Sequence, residues 1–520
     1  MQSLVQIIPI EVMPPSLADN TGDLDRLRKG LAGKLAGRLA SVPMARMAPV
    51  ARSFRQAGFK GAAVITGLDA GEQLIDFLPA APDILPGMAL DLGTTHLEAS
   101  LLDLISGKVL ERAALENAQL EFGTDILTRI HFAIDKNGST EGLELLQQRV
   151  VQCISDLAED LAAKTKITTR DIVALCVSGN TTMVHFFLKL DPFHLCREPY
   201  IPVVNSPDPF CASDVGLTLH PGAIVWVMPS VGSYFGGDLI SGILASGLDQ
   251  QKDTSMLIDV GTNAEVVVGN RDWLIACAGA AGPALEGGVA RMGMRAAIGA
   301  IEHCSIDPET GDLDYVTIGD APARGICGSG VIDLVAGLYL ARIIDIRGKF
   351  RKDQPQAAGR FVEQDDGLAY VVVVPEEGDQ GKPVLLSQVD IDALMRSKAA
   401  MYSILTTITN QVGVAFEDLH RIYVAGAFGK HISPRQAIVL GMLPDLELGV
   451  YEPLGNSSLA GAELILLDQE ARERSLQVVA KVTYIELNVN QEFMIRFSGC
   501  RFIPHTDHAL FPSVPFFEEP

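Results

Sequence analysis

Two short stretches of the sequence carry the same residue types in the same order, and those types suit the binding of a polyphosphate with its metal. The order is apolar, Asp, apolar, Gly, Thr and then Thr or Asn, in Leu90-Asp91-Leu92-Gly93-Thr94-Thr95 and in Ile258-Asp259-Val260-Gly261-Thr262-Asn263. A carboxylate at the end of a strand can hold Mg²⁺ directly or through water. Glycine lets the backbone approach an anion, and the N–H and hydroxyl groups that follow can donate to phosphate oxygens. We therefore predict that Asp91 and Asp259 are metal-binding and catalytic.

A third glycine-rich turn follows another apolar run, in Val424-Ala425-Gly426-Ala427-Phe428-Gly429. One Asp-x-Gly-Thr match can be an ordinary turn with a solvated carboxylate. Two matches in register plus this third strand–turn–helix pattern favour a nucleotide site. Fixed donors and charges of this kind are what phosphoryl transfer requires.

The chain is predicted to divide at a proline-rich stretch, residues 79–87. Before it, residues 1–86 combine strands with one helix over 23–39, where leucines recur at helical spacing. After it, strand–turn–helix units predict α/β material, with a first half over 87–250 and a second over 251–520. Long helices are predicted over 141–164 and 389–412, the second beginning with a capping box of Ser387 and Asp390. The polar stretch 352–382 is predicted to be a loop or hairpin.

Composition excludes several classes of protein. The 520 residues include 41 Lys and Arg against 64 Asp and Glu, for a net charge of −23. This balance argues against binding to nucleic acid or to an anionic membrane. We find no apolar run long enough to span a membrane and no signal peptide, and we expect a cytoplasmic protein. The eight cysteines show no C-x-x-C spacing, which predicts reduced thiols and no iron–sulfur cluster in this chain.

The order of these motifs resembles the nucleotide site of the actin, sugar-kinase and heat-shock-chaperone ATPase superfamily. That resemblance implies an α/β fold with two actin/ribonuclease-H-like halves around a nucleotide cleft, preceded by a small α+β domain. It implies ATP and Mg²⁺ as cofactors, with Asp91 and Asp259 as metal ligands and Asp238 near a metal-bound water. The alternative role for Asp238 is that of a helix N-cap. The residues that the resemblance places around the nucleotide are Gly93, Thr94, Thr95, Gly261, Thr262, Asn263, Gly325, Gly328, Gly330, Gly426, Ala427 and Gly429.

Longer strings resemble the reductive activators of corrinoid proteins. They are Ser178-Gly179-Asn180-Thr181-Thr182-Met183, Gly282-Pro283-Ala284-Leu285-Glu286-Gly287-Gly288, Gly325-Ile326-Cys327-Gly328-Ser329-Gly330 and the turn at 424–429. The opening at 14–20 is similar to that family's small middle domain, and the ending at 502–506 to its C-terminus. The resemblance implies an ATPase that couples ATP to the reduction of Co(II) to Co(I) in a corrinoid protein of a methyltransferase system, and a homodimer is compatible with it.

One departure from that family concerns the source of electrons. Members commonly carry a ferredoxin domain ahead of the middle domain, whereas this sequence has no cysteine before Cys153. We therefore expect either a separate ferredoxin-like or flavin protein as the electron donor, or a changed role for this member of the family. The loop at 277–283 consists almost wholly of small residues, which suits either tight packing or contact with the partner's corrinoid.

Two other functions remain open from the residues. A small-molecule kinase on the same fold would need an Asp or Glu base, for which Asp238 or Glu286 can serve. A nucleotide-gated module that remodels a partner, as chaperones do, would need no acceptor other than water.

Overall fold

A computed structural model describes residues 2–68, 71–134, 140–261, 264–279, 292–294, 296–364, 367–487 and 490–517. The chain forms two compact units. The first comprises Met1–Ala245 with Ser457–Ala480, and the second Ser246–Asn456 with Lys481–Pro520. Within the described residues, no helix combines the length and the apolar character needed to cross a bilayer.

The N-terminal part of the first unit is an antiparallel sheet covered on one face by two helices. The sheet order is β1-β2-β3, and buried side chains of both helices share one core with the sheet. Its elements are β1 (Val5–Glu11), α1 (Asp23–Ala32), α2 (Met44–Gln56), β2 (Lys60–Leu68) and β3 (Gly71–Leu78). The prediction of one helix over 23–39 is wrong beyond Ala32. Gly33 caps α1, and Gly37 has a positive φ of 84°, a conformation that ends helices.

The rest of the first unit is built on a mixed sheet. Strands β4, β5 and β6 form an antiparallel meander, whereas β7 and β9 run parallel to β4, giving the order β6-β5-β4-β7-β9-β8. Helices pack against this sheet and bury its apolar residues. The elements are β4 (Pro86–Leu92), β5 (His96–Asp103), β6 (Val109–Glu116), α3 (Ile126–Ala133), α4 (Glu141–Thr165), β7 (Ala174–Gly179), α5 (Thr181–Phe187), β8 (Phe210–Cys211), β9 (Ile224–Val227) and α6 (Gly237–Ser246).

The second unit repeats this sheet. Its order is β20-β19-β10-β11-β12-β21, again with a meander from the first strand and parallel strands on the other side. From the start of this unit to β19, its helices and strands are β10 (Ser255–Val260), β11 (Ala264–Gly269), β12 (Leu274–Gly279), β13 (Ala300–Ile306), β14 (Leu313–Thr317), β15 (Gly325–Ile326), α7 (Gly328–Leu340), β16 (Phe361–Gln364), β17 (Gly367–Val373), β18 (Val384–Ser387), α8 (Gln388–Val412) and β19 (Ile422–Ala425). Strand β10 therefore holds the place that β4 holds in the first unit, and the predicted internal repeat is confirmed.

The C-terminal part crosses between the units along the chain. Its elements are α9 (Gly426–His431), α10 (Pro434–Leu440), β20 (Tyr451–Gly455), α11 (Ser457–Leu467), α12 (Gln469–Lys481), β21 (Val482–Ile485) and α13 (Gln491–Gly499). Helix α11 packs on β4 and β7 and so belongs to the first unit, although it follows a strand of the second. We had expected the residues of α11 in the second half, with no helix predicted there.

Several predicted elements are confirmed. The capping box of α8 forms, with the Asp390 N–H donating to the Ser387 hydroxyl over 3.2 Å and the Ser387 N–H to the Asp390 carboxylate over 2.8 Å. The hairpin within 352–382 is β16 and β17. Together with the two mixed sheets, these elements confirm the α/β fold class.

Candidate functional site

Asp91, near the end of β4, is flanked by residues from three other elements of the first unit. It lies opposite Glu98 of β5 and Ser178 of β7 in the sheet register. Its Oδ1 accepts a 2.7 Å hydrogen bond from the Ser458 hydroxyl at the start of α11. This contact orients the carboxylate of Asp91 at the end of β4.

Three serine hydroxyls form a buried network beside Asp91. Ser178 Oγ lies 2.9 Å from Ser458 Oγ and 2.8 Å from Ser241 Oγ of α6. All three residues are buried, at 6% exposure or less. Gly461 of α11 lies so close to Ser241 that a Cβ on it would come within 2.4 Å of the Ser241 Cα. The network therefore links β7, α6 and α11 at the point where β4 presents its carboxylate.

The turn after Asp91 is braced by two asparagines. The Asn180 amide donates to the Thr94 hydroxyl over 3.1 Å, and the Asn117 amide donates to the Gly93 carbonyl over 3.0 Å. A Cβ on Gly93 would stand 2.3 Å from the His96 carbonyl oxygen, so only glycine fits this turn. The Asn117 N–H also donates to the Thr95 carbonyl over 2.8 Å. These contacts fix the backbone of the turn at 93–95, which is predicted to bind phosphate.

Asp238 is the second residue of α6. It therefore lies in the first turn of the helix and not at the N-cap position, which is the residue before the helix. Its Oδ1 accepts from the Leu239 N–H over 2.9 Å. Burial raises the pKa of Asp238 to about 6, and the negative charge of Asp91 contributes to the rise. The structure thus brings Asp91 and Asp238 into one electrostatic environment, in which Asp238 can take up or release a proton close to neutral pH.

In the second unit, Asp259 of β10 lies against Gly426. In the sheet register Asp259 faces Ala425 of β19, and a Cβ on Gly426 would come within 2.8 Å of the Asp259 Oδ1. Gly426 has a positive φ of 73°, so the chain turns from β19 into α9 directly over the carboxylate. A Cβ on Gly429 would stand 2.0 Å from the Val424 carbonyl oxygen. The structure thus brings the second aspartate together with the glycine-rich turn at 424–429, which the resemblance places at the nucleotide.

Other predicted site residues are less fully placed. Gly261 ends the described stretch at β10, and Thr262 and Asn263 lie outside the described residues, as do the motif at 282–288 and most of the small-residue loop. Ala427 is within α9, but its side chain lies outside the description.

The glycines at 325–330 surround the start of α7. Gly325 is in β15, and a Cβ on it would come within 2.5 Å of the Met292 carbonyl oxygen. Gly328 begins α7, and a Cβ on Gly330 would stand 2.4 Å from the Ile301 carbonyl oxygen. Close packing accounts for two of these glycines, and an approach of the segment to a nucleotide stays a prediction.

The carboxylate and hydroxyl groups described above are of the type that binds Mg²⁺, because this ion prefers hard oxygen ligands. The described residues contain no group of three or more His, Cys, Asp or Glu side chains arranged as a metal site. Magnesium in phosphoryl-transfer sites is commonly held by one or two carboxylates with water and substrate phosphates completing the shell. Asp91 in the first unit and Asp259 in the second are each a carboxylate of the kind that such an ion takes as a ligand.

A repeated mixed sheet with a strand-terminal aspartate in each copy defines an ATPase-type fold of the actin and sugar-kinase class. Three family models match in succession. They are described as the RACo linker region, over residues 1–82, the RACo middle region, over 86–251, and the C-terminal or ASKHA domain of RACo, over 253–515. The chain belongs to the RACo family, the reductive activators of corrinoid proteins. The middle region is thus residues 86–251, and residues 1–82, which were expected to resemble the middle domain, match the linker region.

Individual relatives agree with this family. The chain is 33% identical over 432 residues to a corrinoid activation enzyme, RamQ, of Eubacterium limosum, covering 82% of this chain and 72% of the relative. It is 24% identical over 429 residues to a [Co(II) methylated amine-specific corrinoid protein] reductase of Methanosarcina barkeri, covering 76% and 73%. A solved structure of a reductive activator for a corrinoid, iron–sulfur protein superposes with a TM-score of 0.89 at 36% identity, covering 98% of this chain and 81% of that one.

Proposed function

We propose that this protein uses ATP to drive the reduction of a corrinoid from Co(II) to Co(I) in a partner protein. The observation that carries the proposal is the succession of three RACo matches along the chain, with a solved corrinoid activator that covers 98% of it. The relatives' names specify corrinoid activation and corrinoid protein reduction. The strand-terminal aspartates in the two repeated sheets supply the reason for ATP.

Asp91 and Asp259 are proposed to hold Mg²⁺ with the ATP phosphates. The ion would neutralise charge that develops on the phosphate oxygens during hydrolysis. Asp91 enters this role with its Oδ1 already oriented by Ser458, and Asp259 with its Oδ1 packed against Gly426. The Thr94 hydroxyl accepts from Asn180 and can therefore direct its own hydrogen towards a phosphate oxygen.

Asp238 is proposed to accept the proton of the attacking water. A general base works best when its pKa lies near the working pH, and the pKa of Asp238 is raised to about 6. At neutral pH most of the carboxyl is then ionised and ready to accept a proton. Water is the acceptor in this reaction, and ATP gives ADP and phosphate.

The electron is proposed to come from a separate carrier protein. One electron leaves the reduced carrier and enters cobalt, so that Co(II) becomes Co(I) and the carrier becomes oxidised. The cysteines of residues 1–520 do not have the spacing of a cluster-binding motif, and most of them are buried. ATP contributes by favouring one conformational state of the activator, and hydrolysis releases it.

The test is ATP turnover by the full chain alone, with small hydroxyl and carboxylate metabolites, and with a Co(II) corrinoid protein. We expect slow turnover alone and faster turnover with the corrinoid protein. Stoichiometric phosphorylation of a metabolite would contradict this proposal and would show that the protein is a small-molecule kinase.

A further inference from the structure

Residues 26–60 of this acidic protein, which cover the part of α1 after Asp25 and the whole of α2, contain no acidic residue. Between residues 26 and 60 there are nine of the 41 Lys and Arg residues of the chain and no Asp or Glu, although the net charge of the whole chain is −23. The nine are Arg26, Arg28, Lys29, Lys34, Arg38, Arg46, Arg52, Arg55 and Lys60. Carboxylates outside the segment pair with five of the nine cations, which are Arg26, Arg38, Arg46, Arg55 and Lys60. The excess of positive charge therefore comes from the other four.

The fold turns part of this segment outward as one surface. Helices α1 and α2 pack on the same face of the β1–β3 sheet, so their opposite sides face solvent together. The helices are tied to each other by an ion pair between Arg55 of α2 and Asp23 of α1, at 2.7 Å. We call the outward surface the basic helical face; its residues are Arg28, Lys29, Met44, Met47, Arg52 and Arg55 of the helices and Leu39 between them. One exposed carboxylate, that of Asp25, lies beside Arg28 and Lys29 on this face.

Some of the cations have structural partners, and others do not. Arg26 and Arg46 are buried and pair with Asp19 and Asp76, so they support the fold. Lys29 and Arg52 are exposed and make no ion pair with any residue that the structure describes. Their charges are therefore available to a partner.

Apolar side chains accompany these charges. Leu39, Met44 and Met47 are 56%, 89% and 45% exposed. Methionine and arginine are enriched in protein–protein interfaces. The aromatic residues of the segment, Phe54 and Phe59, are buried in the core instead, so the face offers no ring on which a nucleic-acid base could stack. The mixture favours a protein as the occupant.

We propose that the basic helical face is the docking surface for an acidic one-electron carrier protein, the electron donor of the corrinoid reduction. This inference rests on the proposed function, which requires such a donor. Charge complementarity supports an acidic partner. A surface of two short helices suits a small, weak and salt-sensitive contact, as is typical of electron-transfer encounters, in which the carrier must leave after each transfer.

The corrinoid protein is a less suitable occupant of this face. Its binding must respond to ATP, so it is expected to contact elements that carry the nucleotide motifs. Those motifs begin at Asp91, whereas the basic helical face ends at Arg55 and lies on the β1–β3 sheet. The face serves to hold the carrier on the activator, and the carrier's electron goes to the cobalt of the corrinoid protein.

The test compares two reductants in one assay. Co(I) formation is followed with the full chain, Mg-ATP and Co(II) corrinoid protein, once with an acidic [2Fe–2S] ferredoxin and once with titanium(III) citrate. The variant is Lys29→Glu with Arg52→Glu. The matched control is Lys252→Glu with Lys382→Glu, which makes the same charge change at exposed lysines of the second unit. We expect the variant to need about tenfold more ferredoxin for half-maximal rate, and to match the parent with titanium(III) citrate.

Binding is measured separately, so that the surface can be judged without turnover. Calorimetry of ferredoxin with the full chain should show weak binding, and high salt should abolish it. The variant should lose this binding, whereas the control should keep it. If neither reductant yields Co(I), the proposed function fails while this binding still decides the surface. The inference is overturned if ferredoxin binds parent and variant equally. It is also overturned if the variant needs more corrinoid protein for half-maximal rate with both reductants, because the face would then bind the corrinoid protein. Tighter binding of duplex DNA or of anionic phosphatidylserine vesicles than of ferredoxin would overturn it as well. So would dissociation of a dimer of this chain by the variant.

Discussion

The Ser458 hydroxyl donates a 2.7 Å hydrogen bond to Oδ1 of Asp91, although 367 residues separate the two in the chain. The contact arises because α11 leaves the second unit's strand β20 and packs on β4 of the first unit. Ser458 also lies within hydrogen-bond distance of Ser178, which in turn contacts Ser241 of α6. The carboxylate proposed to bind metal is thus oriented by a helix that the sequence places near the other end of the chain.

Ser458→Ala should reduce ATP hydrolysis by roughly tenfold, because a hydrogen bond to a charged group is worth about 1.5–3 kcal/mol. The measurement is the steady-state ATPase rate over a range of Mg²⁺ concentrations. A positioning role predicts a higher Mg²⁺ requirement, which a purely structural role would not produce. The matched control is Ser457→Ala, because the Ser457 hydroxyl is buried without a hydrogen-bond partner among the described residues. Equal effects of the two changes would remove Ser458 from the site.

Asp238→Asn should remove a pH dependence of both activity and stability. Folding raises the pKa of this carboxyl from 3.8 to about 6, so the folded protein holds the proton more tightly than the unfolded chain. Its contribution to the free energy of unfolding therefore falls as the pH rises between about 4 and 6, and is constant above. In the parent, ATPase activity should rise across pH 6 as the carboxyl ionises.

The Asp238→Asn protein should lose this rise, lose most activity at pH 7, and unfold at a higher temperature than the parent at that pH. Thermal unfolding and ATPase rates from pH 5 to 8 are the measurements. Asp214→Asn, at the start of a short helix elsewhere in the first unit, serves as the control for a general effect of the substitution. An unchanged pH–rate profile in Asp238→Asn would exclude Asp238 as the base.

Gly426→Ala should impair nucleotide binding more than it impairs folding. The new Cβ would come within 2.8 Å of the Asp259 Oδ1 and 2.9 Å of the Val260 carbonyl oxygen, so the carboxylate must move. The control is Gly413→Ala at the end of α8, where φ is also positive but no atom lies within 4 Å of the new Cβ. Both changes carry the cost of a left-handed alanine, about 1 kcal/mol. ATP binding by calorimetry should weaken in Gly426→Ala alone, and similar affinities in both variants would contradict the placement of Asp259.

Lys398→Met should loosen the C-terminal segment. Lys398 is fully buried in α8 and donates to the carbonyl oxygens of Phe502 and Pro504, at 2.5 and 2.6 Å. Burial lowers its pKa to about 7, against 10.5 ordinarily, so its contribution to the free energy of unfolding rises as the pH rises from about 7 to 10. The variant should lose this rise and expose residues after 500 to limited proteolysis. Resistance equal to the parent's at pH 7 and pH 9 would show that Lys398 does not anchor the segment.

The repeated strand–turn motif could be predicted from the sequence because neighbouring residues determine it. Asp91 and Asp259 each end an apolar strand, and glycine follows two residues later, so a few adjacent residues determine the turn. The long helices α4 and α8 were predicted within one residue at each end, since their apolar spacing and caps are continuous. Helix α2 was missed because Pro49 interrupts its pattern, although burial of Val50 and Phe54 stabilises it.

Ser458 could not be found from the sequence. It has no motif of its own, and its partners Asp91 and Ser178 lie hundreds of residues earlier. Only the return of α11 to the first unit brings them together. Ser178 belongs to the segment 178–183, which resembles the corrinoid activators. Its place in the hydroxyl network, however, depends on Ser241 and Ser458, and no local spacing in the sequence indicates that these residues lie close to it. Similarly, the raised pKa of Asp238 follows from burial beside Asp91, a property of the folded site.

The central claim is tested most directly by the visible spectrum of a corrinoid protein in an anaerobic reconstitution. The full chain, Mg-ATP, Co(II) corrinoid protein and a strong reductant should produce the Co(I) spectrum faster than the same mixture without ATP. Asp259→Ala, in which the strand-terminal carboxylate is lost, should reduce the rate to that of the mixture without ATP, while its circular dichroism matches the parent's. Equal rates with and without ATP, or undiminished rates with Asp259→Ala, would contradict an ATP-dependent activator that works through this site.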